Sequence, residues 1–219
     1  MEPLPHGYTN DTRGDATVVV KRYQGPDAGE RRAREVAMLA ALRGRLPVPP
    51  LLAPVPPLLA SDDGAVHTGR VPGVPGQELL AAGHAEPVLR ACGTVLREVH
   101  ALDVFPGEAL VHGDFGPNNT LHDPQTYAVT AVVDWEWARP GPPVVDLAWC
   151  EWIIRMHHPA DVPALDAFFA GYGHRPPWAQ RRAAMLAQCQ AMLALCERWS
   201  PDAAALWRSR TATTAAWRP

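Results

Sequence analysis

Lysine is almost missing from this sequence. Of the 20 basic residues only Lys21 is a lysine, and the rest are arginine. Cysteine is sparse as well: Cys92, Cys150, Cys189 and Cys196 form no CxxC pair. Their scatter fits neither a zinc site nor a small disulfide framework, and their apolar surroundings read as helical core. A strong charge of either sign is lacking. The formal net charge of −3 carries no electrostatic footprint for DNA or RNA. No apolar run is long enough to cross a bilayer. Met1–Pro5 has neither the basic start nor the apolar stretch of a secretory signal. The expected partners therefore include no nucleic acid and no membrane, and the expected location is cytoplasmic.

What is present is a balance of 47% hydrophobic and 20% charged residues over 219 positions. That suits a soluble globular chain with one sizeable domain or two small lobes. Val18-Val19-Val20-Lys21 lies in a β-branched run, residues 16–23, which reads as a strand. Gly25-Pro26-Asp27 then opens a helix to about Arg45, with Asp27 as the N-cap. Leu46-Pro47-Val48-Pro49-Pro50 must stop it, because proline lacks the amide donor. A strand pair is expected at residues 51–59 and 66–71. The Gly/Pro break Val71–Gly76 divides the chain into lobes 1–71 and 72–219. Beyond it the pattern is helical at about 85–102, 160–171, 178–199 and 202–216, interrupted by a β region at 109–134.

The densest chemistry lies in that β region, in His112-Gly113-Asp114-Phe115-Gly116-Pro117-Asn118-Asn119 and in Asp134-Trp135-Glu136. Residues 119–122 and 127–134 read as a hairpin turned by Asp123-Pro124-Gln125-Thr126. With His122 facing Tyr127, Asp134 falls opposite residue 115. Asp114, Asn119 and Asp134 then converge, and such oxygen donors suit a hard cation such as Mg²⁺. The spacing H-x-D-x-x-x-x-N with a later Asp matches the catalytic and metal loops of kinases. Asp114 is the candidate base, and Asn119 with Asp134 the candidate metal ligands. A plain surface turn would need neither His112 nor a second acid. Lys21 and Glu35 form a second constellation. Glu35 shares a helical face with Met38, Leu39 and Leu42, so its carboxylate needs a partner, and Lys21 is the nearest in sequence logic. Arg31 and Arg32 are alternative partners.

The chain resembles the aminoglycoside phosphotransferase superfamily, which includes choline- and fructosamine-kinase relatives. The likeness runs from about Gly7 to Glu151. It is carried by His112-Gly113-Asp114 with Asn119, by Asp134, by Pro143-Val144-Val145-Asp146-Leu147-Ala148, and by Arg34-Glu35 through Leu46-Pro47-Val48-Pro49. It implies an α+β, two-lobed, protein-kinase-like fold with a small β-rich N-lobe and a mainly helical C-lobe. It also implies transfer of the γ-phosphoryl group of ATP or GTP, with Mg²⁺, to a hydroxyl of a small molecule such as an aminoglycoside. Lys21 becomes the phosphate lysine and Glu35 its helix partner. Thr9 and Asn10 fall in the loop over the phosphates, which has one glycine and no evident strand before it. Residues 68–71 form the hinge, and Asp146 braces the catalytic loop. Only residues 135–145 separate Asp134 from Asp146, too few for a peptide-docking segment, so a small acceptor is expected.

Other readings compete. A choline- or sugar-type kinase would use the same residues. A metal-dependent hydrolase would use His112, Asp114 and Asp134 and leave Lys21, Glu35 and Asn119 without roles. A nucleotide-binding module without catalysis would be expected to lack one of the acidic groups. Glu136, Glu151, Asp161 and Asp166 read mostly as solvated faces, and at least two of Trp135, Trp137, Trp149 and Trp152 as core.

Overall fold

The computed structural model describes residues 1–3, 10–43, 58–60 and 64–219. The N-terminal strands β1 (Glu2–Pro3), β2 (Asn10–Gly14) and β3 (Val18–Tyr23) lead to helix α1 (Ala28–Leu42), then to β4 (Leu58–Ala60) and β5 (Ala65–Gly69). The five strands form one antiparallel sheet in the order β1-β2-β3-β5-β4. The β-branched run thus occupies the middle of the sheet, where Val20 is buried. Contrary to expectation, a short strand does precede the phosphate-loop segment, since Glu2 pairs with Gly14 and Pro3 with Arg13.

Helix α1 buries Glu35, Met38, Leu39 and Leu42 along one stripe. It ends at Leu42, and the proline run 46–50 expected to stop it lies outside the described residues, as does most of the expected strand 51–59. Asp27 stands at the N-cap but makes no side-chain cap. Its backbone is left-handed (φ 57°), and its carboxylate instead receives both terminal nitrogens of Arg198 at 2.8 and 2.9 Å. Distant charge has won over local capping.

After the Gly/Pro segment the chain leaves this sheet. Strand β6 (Val74–Pro75) pairs with β8 (Thr120–His122), which pairs with β9 (Val129–Val132). Helices α2 (Gly76–Ala81) and α3 (Ala85–Ala101) come between, followed by β7 (Ala109–Val111), which pairs with β10 (Arg139–Gly141). Four further helices complete the chain: α4 (Val144–His157), α5 (Leu165–Tyr172), α6 (Trp178–Glu197) and α7 (Pro201–Ala216). Ser200 caps α7 by accepting the Ala203 N–H, with Pro201 at the first helical position.

Two apolar cores pack the chain, and the larger also takes in Met38, Leu39 and Leu42 of α1 and Val66 of β5. In the larger, α3 presents Val88, Leu89, Cys92, Val95, Leu96 and Val99 to Leu165 and Phe168 of α5. The two helices meet at glycines: a Cβ on Gly93 would lie 2.0 Å from the Phe168 carbonyl oxygen, and one on Gly171 would lie 2.2 Å from that of Arg90. In the smaller, Trp149, Trp152 and Ile153 of α4 pack with Met185 and Cys189 of α6 and Trp207 of α7. All four cysteines are buried and free.

The hairpin register differs from the expected one. Thr120 pairs with Val132 and Leu121 with Ala131, and a shift then sets His122 opposite Val129. The connection is wider because Tyr127 turns left-handed (φ 60°) and the Asp123 N–H reaches the Ala128 carbonyl. The Asp123 carboxylate then takes the Gln125 and Thr126 amides. His122 still meets Tyr127, but through its ring nitrogen and the Tyr127 carbonyl. Asp134 therefore arrives beside Asn119, where the Val133 N–H donates to the Asn119 carbonyl at 3.0 Å, and not opposite residue 115.

Candidate active site

Strand β7 delivers the chain to a loop that Asp146 shapes. Its carboxylate accepts the N–H groups of His112 and Gly113 at 2.7 and 2.8 Å, and it meets His100 Nε2 at 3.1 Å. Gly113 has φ +85°, and a Cβ there would lie 2.5 Å from the Trp137 carbonyl oxygen, so only glycine fits the turn. The buried His112 ring donates from Nε2 to the Val133 carbonyl at 3.0 Å, and its Nδ1 accepts the Asp114 N–H at 3.3 Å. These bonds assign the Nε2–H tautomer, and burial holds the imidazole below its ordinary pKa and neutral.

Asp114 projects from this turn with both carboxylate oxygens engaged. Oδ1 accepts the indole N–H of Trp149 at 2.7 Å, and Oδ2 accepts Nδ2 of Asn119 at 3.0 Å. The same Nδ2 reaches the Asp114 carbonyl at 2.8 Å. Burial, reinforced by the charge of Asp134, pushes the Asp114 carboxyl up to about 7, while the Trp149 and Asn119 donors pull it back. Asp134 has a left-handed backbone (φ 69°), which turns it off the end of β9.

The sheet and α1 meet this loop through Lys21. Its ammonium bonds Glu35 Oε2 at 2.7 Å and Asp134 Oδ1 at 2.5 Å, with Glu136 at 3.7 Å. Burial opposes the charge, but Asp134, Glu35 and Glu136 outweigh it and hold the amine well above its ordinary pKa. Tyr23 donates its hydroxyl to Glu35, and its own pKa is raised by burial and then by that carboxylate. Oxygens of Glu35, Asp134 and Glu136 lie within 4.8 Å of one another, a density of negative charge that the Lys21 and Arg31 cations offset.

Two expectations need correction here. Glu136 and Glu151 are not solvated: they are 1% and 0% exposed. Glu136 holds Arg31 at 3.0 Å and Asn10 Nδ2 at 3.1 Å, and Glu151 pairs with Arg155 and Arg181. Arg31 thus serves Glu136 and not Glu35. Asn10 opens strand β2, paired with Tyr23, where a loop position was expected, and Thr9 lies outside the described residues. Sequence reasoning passed over Glu136 and Trp149 as site residues. The available signal was Arg31, one turn before Glu35 on the same buried face, because a buried guanidinium demands a carboxylate.

A small antiparallel sheet with one helix, set against a mainly helical part that carries a His-Gly-Asp loop, defines the α+β kinase-like phosphotransferase class. The phosphotransferase enzyme family matches residues 1–109 and 106–186, and the chain belongs to that family. It is a phosphotransferase. Among solved structures, the gentamicin complex of APH(2")-IIa is similar with a TM-score of 0.73 at 15% identity, covering 96% of this chain and 90% of that one. The GDP complex of aminoglycoside 2'-phosphotransferase-IIIa gives 0.69 at 15%, covering 98% and 92%. Macrolide 2'-phosphotransferase MphH from Brachybacterium faecium gives 0.62 at 20%, covering 100% and 92%. These likenesses are of fold. Acyl-CoA dehydrogenase family member 11 of Gallus gallus is 48% identical over 42 residues, a stretch that spans 19% of this chain and only 5% of that protein. Among the described residues no helix is long and apolar enough to cross a membrane.

Proposed function

We propose that the chain moves the γ-phosphoryl group of ATP or GTP to a hydroxyl of a small molecule, with aminoglycosides and other antibiotics as the first acceptors to test. The observation that carries this reading is that the Lys21 ammonium bonds both Glu35 and Asp134, while the Val133 N–H next to Asp134 bonds the carbonyl of Asn119, whose side chain holds Asp114. In it residues 1–71 form the nucleotide lobe and residues 72–219 the catalytic lobe, and Asn10 belongs to the phosphate-covering segment with Thr9. Gentamicin, GDP and macrolide appear in the names of the similar structures, which supports both halves of the reaction. The four reduced thiols suit a cytoplasmic setting.

Phosphoryl transfer asks little covalent chemistry of the protein, so positioning and charge dominate. Asp114 accepts the proton of the acceptor hydroxyl. The acceptor oxygen forms a bond to the γ-phosphorus, the bond to the β,γ-bridging oxygen breaks, and the nucleoside diphosphate leaves with that electron pair. Lys21, fixed by Glu35, holds phosphate oxygens. The donor set of Asn119 and Asp134 fits Mg²⁺: Nδ2 of Asn119 is committed to Asp114, which leaves Oδ1 to accept, and Asp134 meets Lys21 with one oxygen of two. Bound there, the ion would neutralise phosphate charge. His112 has both ring nitrogens committed to the loop, which speaks against a hydrolase that uses it as a metal ligand.

The test is a screen for diphosphate release from MgATP and MgGTP over aminoglycosides, macrolides, peptide antibiotics, choline and sugars. Acceptor-dependent release with a phosphorylated product supports the proposal, and choline or sugar as acceptor would make it a metabolic kinase. Tight binding of nucleotide without transfer to any acceptor or to water would overturn it.

A further inference from the structure

The indole that touches Asp114 has no place in the reading above. Trp149 is 4% exposed, and a buried indole N–H needs an acceptor. Here the acceptor is Oδ1 of Asp114 at 2.7 Å, a length typical of a bond to a charged oxygen. Asp146 and Trp149 stand three residues apart on α4, hence on one face. The first holds the amides of His112 and Gly113, and the second holds the side chain of Asp114. One helix end thereby fixes both the backbone and the carboxylate of the loop. The ring itself is locked, because it stacks on Trp152 with centroids 4.4 Å apart and planes 3° apart, with Trp207 of α7 at 6.1 Å. Gln188 of α6 adds a bond to the Gly113 carbonyl at 3.0 Å, so the C-terminal helices back the loop from two directions.

We propose that Trp149 is a positioning residue for transfer: its N–H grips one Asp114 oxygen and aims the carboxylate at the acceptor hydroxyl, with the tryptophan stack of α4 and α7 as its rigid mount. With Asn119 on the other oxygen, the carboxylate cannot rotate about its terminal bond without breaking two donors. A free carboxylate at the same place would spend much of its time turned away from the hydroxyl, at a cost in rate. The inference rests on Asp114 as the base, and the two ideas fail in different ways.

The experiment compares Trp149→Phe, which keeps an aromatic ring and removes the donor, with Trp178→Phe, at an indole of α6 that lies under Arg155 and Arg181 and outside the stack. Rates are read on MgATP and MgGTP hydrolysis by water, which needs no identified acceptor. Trp149→Phe should lower kcat roughly 10- to 100-fold, the worth of a hydrogen bond to a charged group, with KM for nucleotide within about twofold. Trp178→Phe should leave kcat within about twofold. In an Asp114→Asn background, Trp149→Phe should cost almost nothing further. Wild-type protein supplies a check that needs no Trp149 variant to fold: one indole N–H proton resonance should lie downfield of the others and move upfield on Asp114→Asn. Equal losses from both tryptophan variants, additive losses with Asp114→Asn, or no indole resonance that responds to Asp114→Asn would overturn the assignment. Retained turnover in Asp114→Asn would instead remove the base itself.

Discussion

Asp114 sets stability against function. Its carboxyl is pushed up to about 7 by burial and by Asp134, against an ordinary value of about 4. A carboxyl raised in this way binds its proton more tightly in the folded than in the unfolded chain. Its contribution to stability is therefore present at low pH and is lost as pH rises from about 4 through about 7. Asp114→Asn removes that loss. Free of metal and nucleotide, the variant should melt roughly 2–4 °C above wild type at pH 8, a shift worth about 1 kcal/mol in a chain of this size. The difference should shrink toward pH 4, and a pH series of melting curves checks it. The same variant should lose turnover by at least about 100-fold while nucleotide affinity, read by calorimetry, stays nearly intact. Asp134→Asn should do the reverse and weaken Mg·nucleotide binding first. Lys21→Arg keeps the charge but replaces a compact ammonium between Glu35 and Asp134 with a fork that cannot sit there. A fall of about tenfold or more in kcat/KM is expected, and unchanged kinetics would remove the phosphate-gripping role.

Helix α3 shows how an element can depend on the lack of a side chain. It buries a continuous stripe from Val88 to Val99 against α5. Its backbone also comes so near α5 that a methyl at Gly93 would lie 2.0 Å from a carbonyl oxygen. That distance cannot be absorbed by a rotamer change, because the obstacle is backbone. Gly93→Ala gains helix propensity, worth up to about 1 kcal/mol, but must push the helices apart. Overpacking in a tight core costs about 1–3 kcal/mol or more, so the net effect should be destabilising. Urea titration of Gly93→Ala and Gly171→Ala measures it. By contrast Gly29, with nothing within 4 Å of its Cβ position, should be stabilised by alanine on propensity alone.

Across the whole molecule the N-terminal sheet with α1 and the helical part share one apolar core, in which Met38, Leu39, Leu42 and Val66 sit with residues such as Leu110 and Val132, and charged groups join them as well. Lys21 reaches Asp134, Arg31 and Asn10 reach Glu136, Arg34 reaches the Glu136 carbonyl at 2.9 Å, and Asp27 meets Arg198. The first of these joints is also the proposed phosphate and metal site. A kinase of this kind needs Mg²⁺ as a bridge between nucleotide and protein and holds it weakly alone. Elemental analysis of purified protein should therefore find little transition metal. Titration should detect Mg²⁺ binding at micromolar to low-millimolar levels only with a non-hydrolysable nucleotide present. A stoichiometric zinc or iron that survives purification would restore the hydrolase reading.

Much of this was open to reading along the chain, because local rules set it. The strand around Lys21, the stripe on α1, the break after Arg70 and the His-Gly-Asp turn follow from side-chain period, β-branching and the special freedom of glycine and proline. Four thiols in apolar helix faces read as core, and they are buried. Other features needed the folded chain. The hairpin register slipped because Tyr127 adopted a left-handed turn that no residue in it demanded. Asp27 left its cap for an arginine 171 residues away. Glu136 looked like a surface acid until Arg31 and Asn10 closed on it. Trp149 looked like core packing and is core packing, yet its one polar atom lands on Asp114. Sequence spacing governs what neighbours on one element can do together, whereas a buried charge or N–H takes whatever partner the fold brings within about 3 Å. That choice belongs to tertiary structure.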